Sequence, residues 1–295
     1  MDLKLLNRDW DQESYPASSD FLLLIFFAPF FLFLRLILDR FIFERVARRL
    51  VCPREECADS SERRNKIAKF KESAWKWLCS LSVEAFALHV TYKEPWFKDT
   101  RCFWLGPGDQ IWPDQKIKLK MKGMYMFVGG LNVYAFFALF FWETRRSDFK
   151  VMLVHHIVTS SLIILSYVFR FSRIGSVILA LHEISDVFLE IGKMCKYSGA
   201  EAMTSVSFVI FFLSWTVLRL IYYPFWILWS TRLRINKSEN GLLGQEAFDG
   251  NWPTPYGLLL CLQHTSLLLT DSSHLLVDLD MSCAHQPNSC QRQYR

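Results

Sequence analysis

The chain has 295 residues, of which 52% are hydrophobic, and it carries 26 Phe, 11 Trp, 10 Tyr and a formal net charge of +5. The apolar residues are concentrated in blocks of about 18–25, the length that crosses the roughly 30 Å hydrocarbon layer of a bilayer. This distribution argues against a soluble globular domain. It predicts an all-α, multi-spanning helical membrane protein, since helices satisfy their own backbone hydrogen bonds in lipid.

Six spans are predicted with a doubtful seventh. Residues 21–38 read FLLLIFFAPFFLFLRLIL and are followed by Arg40 and Arg45 rather than by the small residues of a cleavage site, which predicts an uncleaved first span. Further spans are predicted at residues 75–90, 125–142, 151–169, 174–194 and 206–229. Residues 258–270 form the seventh candidate, which is short for a span.

The loop after the first span is strongly basic. Ten of residues 39–74 are Lys or Arg, and cytosolic loops carry such an excess. We therefore predict a cytosolic loop and a lumenal N-terminus, although residues 92–122 also carry seven basic side chains. Between spans, a basic run is expected to meet anionic lipid headgroups rather than nucleic acid.

The cysteines are predicted to be structural, because they form no CxxC pair and match neither zinc nor redox spacing. They are Cys52, Cys57, Cys79, Cys102, Cys195, Cys261, Cys283 and Cys290.

Two adjacent histidines lie inside a predicted span. Residues 148–167 read DFKVMLVHHIVTSSLIILSY, which places His155 and His156 in an apolar run. Adjacent residues on a helix point about 100° apart, so the two imidazoles cannot both aim at one atom. One can face a reacting centre while the other is tied to Asp186, Glu183 or a backbone carbonyl. This pattern favours acid–base or acyl-transfer chemistry.

A polar stripe follows in the next span, at residues 174–194. His182, Asp186, Glu190 and Lys193 recur at helical spacing and share one face about 16 Å long. Burying an ionisable side chain at mid-span costs about 2.5–3.5 kcal/mol, whereas an interhelical hydrogen bond returns about 0.6 kcal/mol. The stripe is therefore predicted to face other helices or a wet cavity and to serve function rather than packing alone.

Polar residues outside the histidine pair and the stripe are predicted to bind phosphate or to be structural. Arg145, Arg146 and Lys150 precede the histidines on the cytosolic side and could bind the phosphates of a nucleotide-tailed donor. Glu84, His89 and Arg219 are predicted to be structural or interfacial.

Three alternatives use the same buried groups. A zinc ion held by one histidine of the pair with His182 and Asp186 lacks a tight ligand motif. A di-iron oxidase would need histidine boxes that the chain does not contain. A proton-coupled transporter would also use buried charges.

Residues 145–199 carry a family resemblance. They read RRSDFKVMLVHHIVTSSLIILSYVFRFSRIGSVILALHEISDVFLEIGKMCKYSG, which resembles the signature of the longevity-assurance ceramide synthases with a TLC domain. The upstream stretches EPWF and GPGDQIWPDQKIKLKMKGMYMF are similar to the plant, Alternaria stem canker resistance-like branch. The resemblance implies a TLC domain over residues 61–256, preceded by an N-terminal span and basic loop in residues 1–60.

Such enzymes join a fatty acyl-CoA to the amino group of a sphingoid base in the endoplasmic reticulum membrane. The resemblance thus implies sphingolipid biosynthesis, tolerance to sphinganine-analogue mycotoxins and multi-pass insertion among membrane lipids. Acyl-CoA would be a co-substrate, with no resident cofactor or metal and no nucleic-acid partner, and homo- or hetero-dimerisation stays open. A non-enzymatic lipid-binding or sensing TLC protein and an inactive truncated homologue are the alternatives.

The resemblance also implies residue roles. It maps the paired histidines onto His155 and His156, and an acidic helix motif onto His182, Asp186 and Glu190. Glu183 stands where the family usually has Asp, so Asp186 is expected to be essential and Glu183 to support it.

The last 39 residues, 257–295, are predicted to be frame-shifted. The family closes with Phe-Asn-Thr-Leu-Leu, six mostly apolar residues and His-Ile-Tyr-Trp-Trp. Residues 262–266 and 273–280 can each be encoded so that reading one base later gives these two motifs, with the required six codons between them. We therefore expect the chain to leave the ancestral frame near Tyr256 or Gly257. Upstream of this point, Asn236 begins an NKS glycosylation sequon.

Overall fold

The fold is helical. The computed structural model describes residues 9–51, 60–106, 110–112, 114–143 and 149–228. Its α-helices are α1 (Phe21–Leu38), α2 (Glu44–Val51), α3 (Ser60–Thr91), α4 (Leu119–Phe141), α5 (Phe149–Val168), α6 (Ser172–Tyr197) and α7 (Glu201–Trp215). A π-helical turn, Asp39–Phe43, joins α1 to α2, and a longer π-helical stretch, Thr216–Leu228, continues α7. Short 3-10 turns lie at Ser18–Asp20, Pro95–Phe97 and Thr100–Phe103.

Four helical stretches within the described residues are long and apolar enough to cross a membrane: Ser18–Val51, Leu119–Phe141, Phe149–Val168 and Glu201–Ile227. They match four of the predicted spans. The other two predicted spans fall in α3 and α6, which are 32 and 26 residues long but more polar. The count of six therefore stays a prediction, and residues 258–270 lie outside the described residues.

The helices pack against neighbours in the chain and against helices that are distant in sequence. α3 contacts α6, α6 contacts α7, and α4 contacts both α1 and α5. α1 approaches α4 closely at Gly130, where an added Cβ would lie 2.5 Å from the Cβ of Phe27 and 3.2 Å from the carbonyl oxygen of Leu24. Small residues allow such close approach between membrane helices. Phe27 also packs edge-on against Phe127, with ring centroids 5.5 Å apart.

The end of the bundle that is predicted to be lumenal is closed by polar contacts. β1 (Glu13–Ser14) pairs antiparallel with β2 (Ile117–Lys118) and ties the N-terminal segment down. Lys120 lies 2.6 Å from the buried carboxylate of Glu94 and 2.8 Å from that of Asp11. Hydrogen bonding and charge from Lys120 hold the pKa of Asp11 below its ordinary value.

A tight turn joins α5 to α6 at this same end. Arg170 adopts a left-handed conformation, with φ of 60°, and reverses the chain. Trp112 donates a 3.1 Å hydrogen bond to the carbonyl of Phe169, and Arg173 donates one of 3.0 Å to that of Cys102. These contacts fix the relative positions of α5 and α6, which carry the histidine pair and the polar stripe.

Candidate active site

The two histidines of α5 face a cavity inside the bundle. The ring centroids of His155 and His156 are 5.8 Å apart, and the ring planes are inclined by 67°. Both rings line a cavity of about 270 Å³ between α3, α4, α5 and α6, which we call the charged chamber. Its charged lining residues are Glu72, Lys76, Glu143, Glu183, Asp186, Glu190 and Lys193.

A second cavity, of about 130 Å³, lies toward the other end of α5. We call it the apolar chamber because its far part is lined by Leu162, Ile163, Phe171, Ile174 and Ile178. Five residues line both chambers and therefore mark their junction: His155, Thr159, Leu179, Glu183 and Asp186. His156 lines only the charged chamber, whereas His182 lines only the apolar one. The two members of the histidine pair thus have different surroundings.

His182 is held by its own helix. Its Nδ1 lies 2.8 Å from the carbonyl oxygen of Ile178, one turn earlier in α6. A carbonyl can only accept, so Nδ1 carries a proton and Nε2 of a neutral ring is left as an acceptor. The ring also packs edge-on against Tyr223, at 5.6 Å between centroids and 86° between planes.

Arg219 reaches the same turn of α6 from the π-helical stretch. Its Nη2 donates a 2.7 Å hydrogen bond to the carbonyl oxygen of His182 and lies 3.3 Å from Oδ1 of Asp186. Arg219 is only 2% exposed. The imidazole of His155 interacts electrostatically with both the carboxylate of Asp186 and the guanidinium of Arg219. Arg219 belongs to the π-helical stretch, and π-helical turns are frequent at functional sites.

A network of ion pairs crosses the charged chamber. Lys76 of α3 lies 3.1 Å from Glu72 and 2.8 Å from Glu143, which follows α4. On α6, Lys193 lies 2.6 Å from Oε1 of Glu190. The pairs of Lys76 join α3 to the residue that follows α4, whereas the pair of Lys193 lies within α6.

Among the described residues that line the charged chamber, three polar side-chain atoms are buried without a hydrogen-bond partner. They are Nδ1 of His156, Oγ1 of Thr159 and Oε2 of Glu190. Buried polar groups in proteins are nearly always bonded. Their position on the cavity wall indicates that these atoms are available to a ligand.

Comparison with known proteins identifies the family. The profile of the TLC domain matches residues 69–270. The chain belongs to the TLC domain family. Within it, the chain is 60% identical to "Ceramide synthase 1 LOH3" of Arabidopsis thaliana, over 80% of this chain and 79% of that protein. It is 58% identical to "Ceramide synthase LOH1" of the same plant (77% and 75%) and 54% identical to an "ASC1-like protein" of Solanum lycopersicum (86% and 84%). These relatives place it in the longevity-assurance, ASC1-like branch, as the resemblance implied.

The polar stripe of α6 faces the interior of the bundle. Asp186, Glu190 and Lys193 line the charged chamber and His182 lines the apolar one, so the prediction that this face turns toward other helices or a cavity is confirmed. The predicted roles of these residues stay predictions.

Of the predicted phosphate-binding residues, the structure describes Lys150. Arg145 and Arg146 lie outside the described residues. Lys150 is exposed in the first turn of α5 and lines neither cavity. Among the described residues, no three His, Cys, Asp or Glu side chains are arranged so that they could hold a metal ion.

Several residues of the site were not predicted from the sequence. Arg219 was predicted to be structural or interfacial, but it contacts the polar turn of α6. The position of Arg219 inside an apolar span could have indicated this contact, since an arginine there needs an acidic or carbonyl partner. No such signal marked three other charged residues, because each lies near the predicted end of a span, where charges are common. These are Glu72, Lys76 and Glu143. Glu84 and His89 line neither chamber, in keeping with a structural reading.

Proposed function

We propose that this TLC protein is a ceramide synthase-type N-acyltransferase, which joins the acyl group of a fatty acyl-CoA to the amino group of a long-chain sphingoid base. Relatives named ceramide synthase at 58–60% identity support the proposal. One structural observation carries it: a histidine of an adjacent pair, His155, lies at the junction of a charged and an apolar chamber. A reaction between two amphiphiles needs such a boundary.

The two chambers match the two parts of an acyl donor. The apolar chamber, of about 130 Å³, takes the part of the fatty chain next to the thioester, since burying each methylene group is worth about 0.8 kcal/mol. The thioester then lies at the junction beside His155, and the neutral pantetheine arm extends through the charged chamber. The nucleotide phosphates stay outside, where Lys150 in the exposed first turn of α5 provides positive charge; Arg145 and Arg146, which precede it in the sequence, belong to the same proposal.

The reaction needs a neutral amine, because an ammonium ion has no lone pair. The amine nitrogen forms a bond to the thioester carbon, and the carbon–sulfur bond breaks. The amine proton passes to the imidazole of His155 and from there to the departing CoA thiolate. The products are an amide and free CoA. A two-step route, in which an imidazole nitrogen first takes the acyl group and the amine then displaces it, conserves the same atoms.

Asp186 and Arg219 are positioning residues in this scheme. Asp186 orients the imidazole of His155 and stabilises the positive charge that it gains. Arg219 holds Asp186 and the backbone of His182 in place through the contacts described above. His156 and His182 complete the set of site histidines, and Glu183, Glu190 and Lys193 support it.

The cellular setting follows from the substrates. Both are membrane amphiphiles, so the protein works as a multi-pass protein in the endoplasmic reticulum membrane, where acyl-CoA meets it from the cytosol. We further propose that acylation of sphingoid bases gives tolerance to sphinganine-analogue mycotoxins. A purely lipid-binding role is less well supported because it gives no use for the histidine at the junction.

The direct test is to incubate the purified protein in nanodiscs with an acyl-CoA and sphinganine and to detect products by mass spectrometry. The expected result is equal amounts of N-acylsphinganine and free CoA. The Arabidopsis relative named Ceramide synthase LOH1, prepared in the same way, controls for the assay. If the relative forms the amide and this chain forms neither product, the proposed function of the chain is wrong.

A further inference from the structure

We propose that the charged chamber is the binding site for the cationic amino group of the long-chain base, with Glu183 as its principal recognition residue and Glu190 as a second carboxylate along the chamber. The inference rests on the proposed function for what happens to the amine afterwards. Binding of the amine can nevertheless be measured without any turnover.

The chamber has an excess of negative charge. Five carboxylates line it against two lysines, which leaves three formal negative charges in excess. A cleft with low-dielectric walls and one dominant sign of charge focuses its field and concentrates ions of the opposite sign. A long-chain amine is a cation at neutral pH and is therefore attracted, whereas the phosphates of CoA are repelled.

The chamber's own cations are already engaged. Lys76 is shared by Glu72 and Glu143, and Lys193 is held by Oε1 of Glu190. Asp186 has Arg219 as its cation. The lysines are thus poorly placed to neutralise the remaining carboxylate groups.

Two acidic groups are left for a ligand. Glu183 makes no ion pair with any of the residues that the structure describes, and it lies at the junction where His155 also lies. Glu190 is 5% exposed, and its Oε2 is buried without a hydrogen-bond partner. A buried carboxylate oxygen without a donor costs free energy. In the described part of the chain, Glu183 has a hydrogen bond from Ser80 but no cation, and Oε2 of Glu190 has no donor. An ammonium group is a cation with three N–H donors and no acceptor, so it supplies both.

The spacing of Glu183 and Glu190 along α6 also implies an order of binding, reaction and release. Glu190 lies seven residues after Glu183 on α6, about 10 Å along the helix axis. One ammonium group is therefore expected to contact them in succession, with Glu183 as the station beside His155. The ammonium group first releases one proton to the aqueous phase, and the neutral amine is then acylated. The resulting neutral amide is no longer attracted to the two carboxylates, which favours release of the product into lipid.

The test is equilibrium binding of sphinganine to the full-length protein in nanodiscs of zwitterionic lipid, with empty nanodiscs as background. The comparison ligand is the same long-chain diol without the amine, which partitions into lipid but carries no charge. Wild-type protein is expected to bind sphinganine at least about tenfold more tightly than the diol. Equal affinities for the two ligands would overturn the inference without any variant.

Matched variants then assign the residues. Glu183→Gln removes the charge at nearly constant size and is expected to reduce the preference for sphinganine about tenfold or more, whereas Glu183→Asp keeps the charge and the preference. Glu190→Gln is expected to have a smaller effect in the same direction. Glu201→Gln, on the exposed first turn of α7 and outside both chambers, is the control and leaves the preference unchanged.

The outcomes separate the two proposals. A preference for sphinganine that depends on Glu183, without any amide formed in the acylation assay, supports the chamber assignment and contradicts the proposed function. Amide formation with a preference that is unchanged in both glutamine variants supports the function and overturns the assignment. In an active protein, Glu183→Gln should also raise KM for sphinganine while leaving KM for acyl-CoA within about twofold.

Discussion

Arg219 donates a 2.7 Å hydrogen bond to the carbonyl oxygen of His182 and lies 3.3 Å from the carboxylate of Asp186. One buried guanidinium therefore holds the backbone and an acidic side chain of the same turn of α6. The pairing explains how an arginine is retained in the π-helical stretch after α7, because its charge is neutralised inside the protein rather than exposed to lipid. It also makes the site depend on the last helix that the structure describes.

Replacing Arg219 with Met should lower both stability and acyl transfer. The change leaves Asp186 without its cation and removes the donor to the carbonyl of His182. Hydrogen bonds to a charged group contribute about 1.5–3 kcal/mol each, so the free energy of unfolding should fall by at least about that amount. Thermal unfolding of the protein in detergent measures the first effect and the acylation assay the second. Arg48→Met is the control, because Arg48 pairs with Glu44 on an exposed surface, where such pairs contribute little.

A double-variant cycle tests the coupling itself. Asp186→Asn alone should reduce transfer at least about a hundredfold if the carboxylate orients an imidazole base. In a protein that already carries Arg219→Met, the same change should cost much less, since the partner is absent. Fully additive losses would show that the two residues act independently.

Replacing either His155 or His156 with Ala should abolish transfer and leave membrane insertion intact. General-base catalysis contributes about 10²–10⁴-fold, and alanine is cheaper than histidine in lipid. Amide formation measures activity, and resistance to carbonate extraction measures insertion. His89→Ala serves as the control because His89 is exposed on α3 and lines neither chamber. Full activity in either variant of the pair removes that histidine from the mechanism.

Gly175→Ala should destabilise the wall of the apolar chamber. The added Cβ would lie 2.0 Å from the hydroxyl of Tyr125 and 2.6 Å from Oγ of Ser166. Overpacking of this kind costs about 1–3 kcal/mol. A lower thermal unfolding temperature is the expected result, and Tyr125→Phe in the same chain should restore part of the loss.

Gly123→Ala is the matched control for that change. Its new Cβ would lie 4.0 Å from the nearest ring atom, in Phe86. Alanine is about 1 kcal/mol better than glycine inside a helix, so this variant should be as stable as the wild type or more so. Equal losses at the two glycines would contradict the role assigned to Tyr125.

Topology can be tested at Asn236, which lies outside the described residues. Six spans from a lumenal N-terminus leave the NKS sequon in the lumen, where it can be glycosylated. A mass shift in microsomes that is removed by glycosidase, and that is absent from Asn236→Gln, is the expected result. A tag at position 1 that is protected from protease in sealed microsomes provides the second measurement, and cleavage of that tag would contradict the assignment.

Sequencing the transcript tests the prediction that residues 257–295 are frame-shifted. The expected result is codons that, read one base later, encode the two closing motifs of the family six codons apart. Codons that cannot be read in that way would end the hypothesis. If the frame shift is confirmed, a protein expressed with the ancestral reading frame restored should form more amide in the acylation assay than the present chain.

The sequence determined the class of the protein and the location of its polar residues. Apolar blocks of spanning length are a property of local composition, so four of the spans could be predicted correctly. The inward face of α6 followed from the 3.6-residue period and from the cost of charges in lipid. α3 and α6 were less clear from composition because the same charges that form the chamber lower their apolar content.

The tertiary structure alone decided which groups meet. It separated His155, at the junction of two chambers, from His156, although the two are adjacent in the chain. It also brought Lys76 to Glu143 and Arg219 to Asp186 across long stretches of sequence. Contacts of this kind depend on how helices are rotated and displaced against one another. That is set by packing at positions such as Gly130 and Gly175, which hydrophobic periodicity within a single helix does not encode.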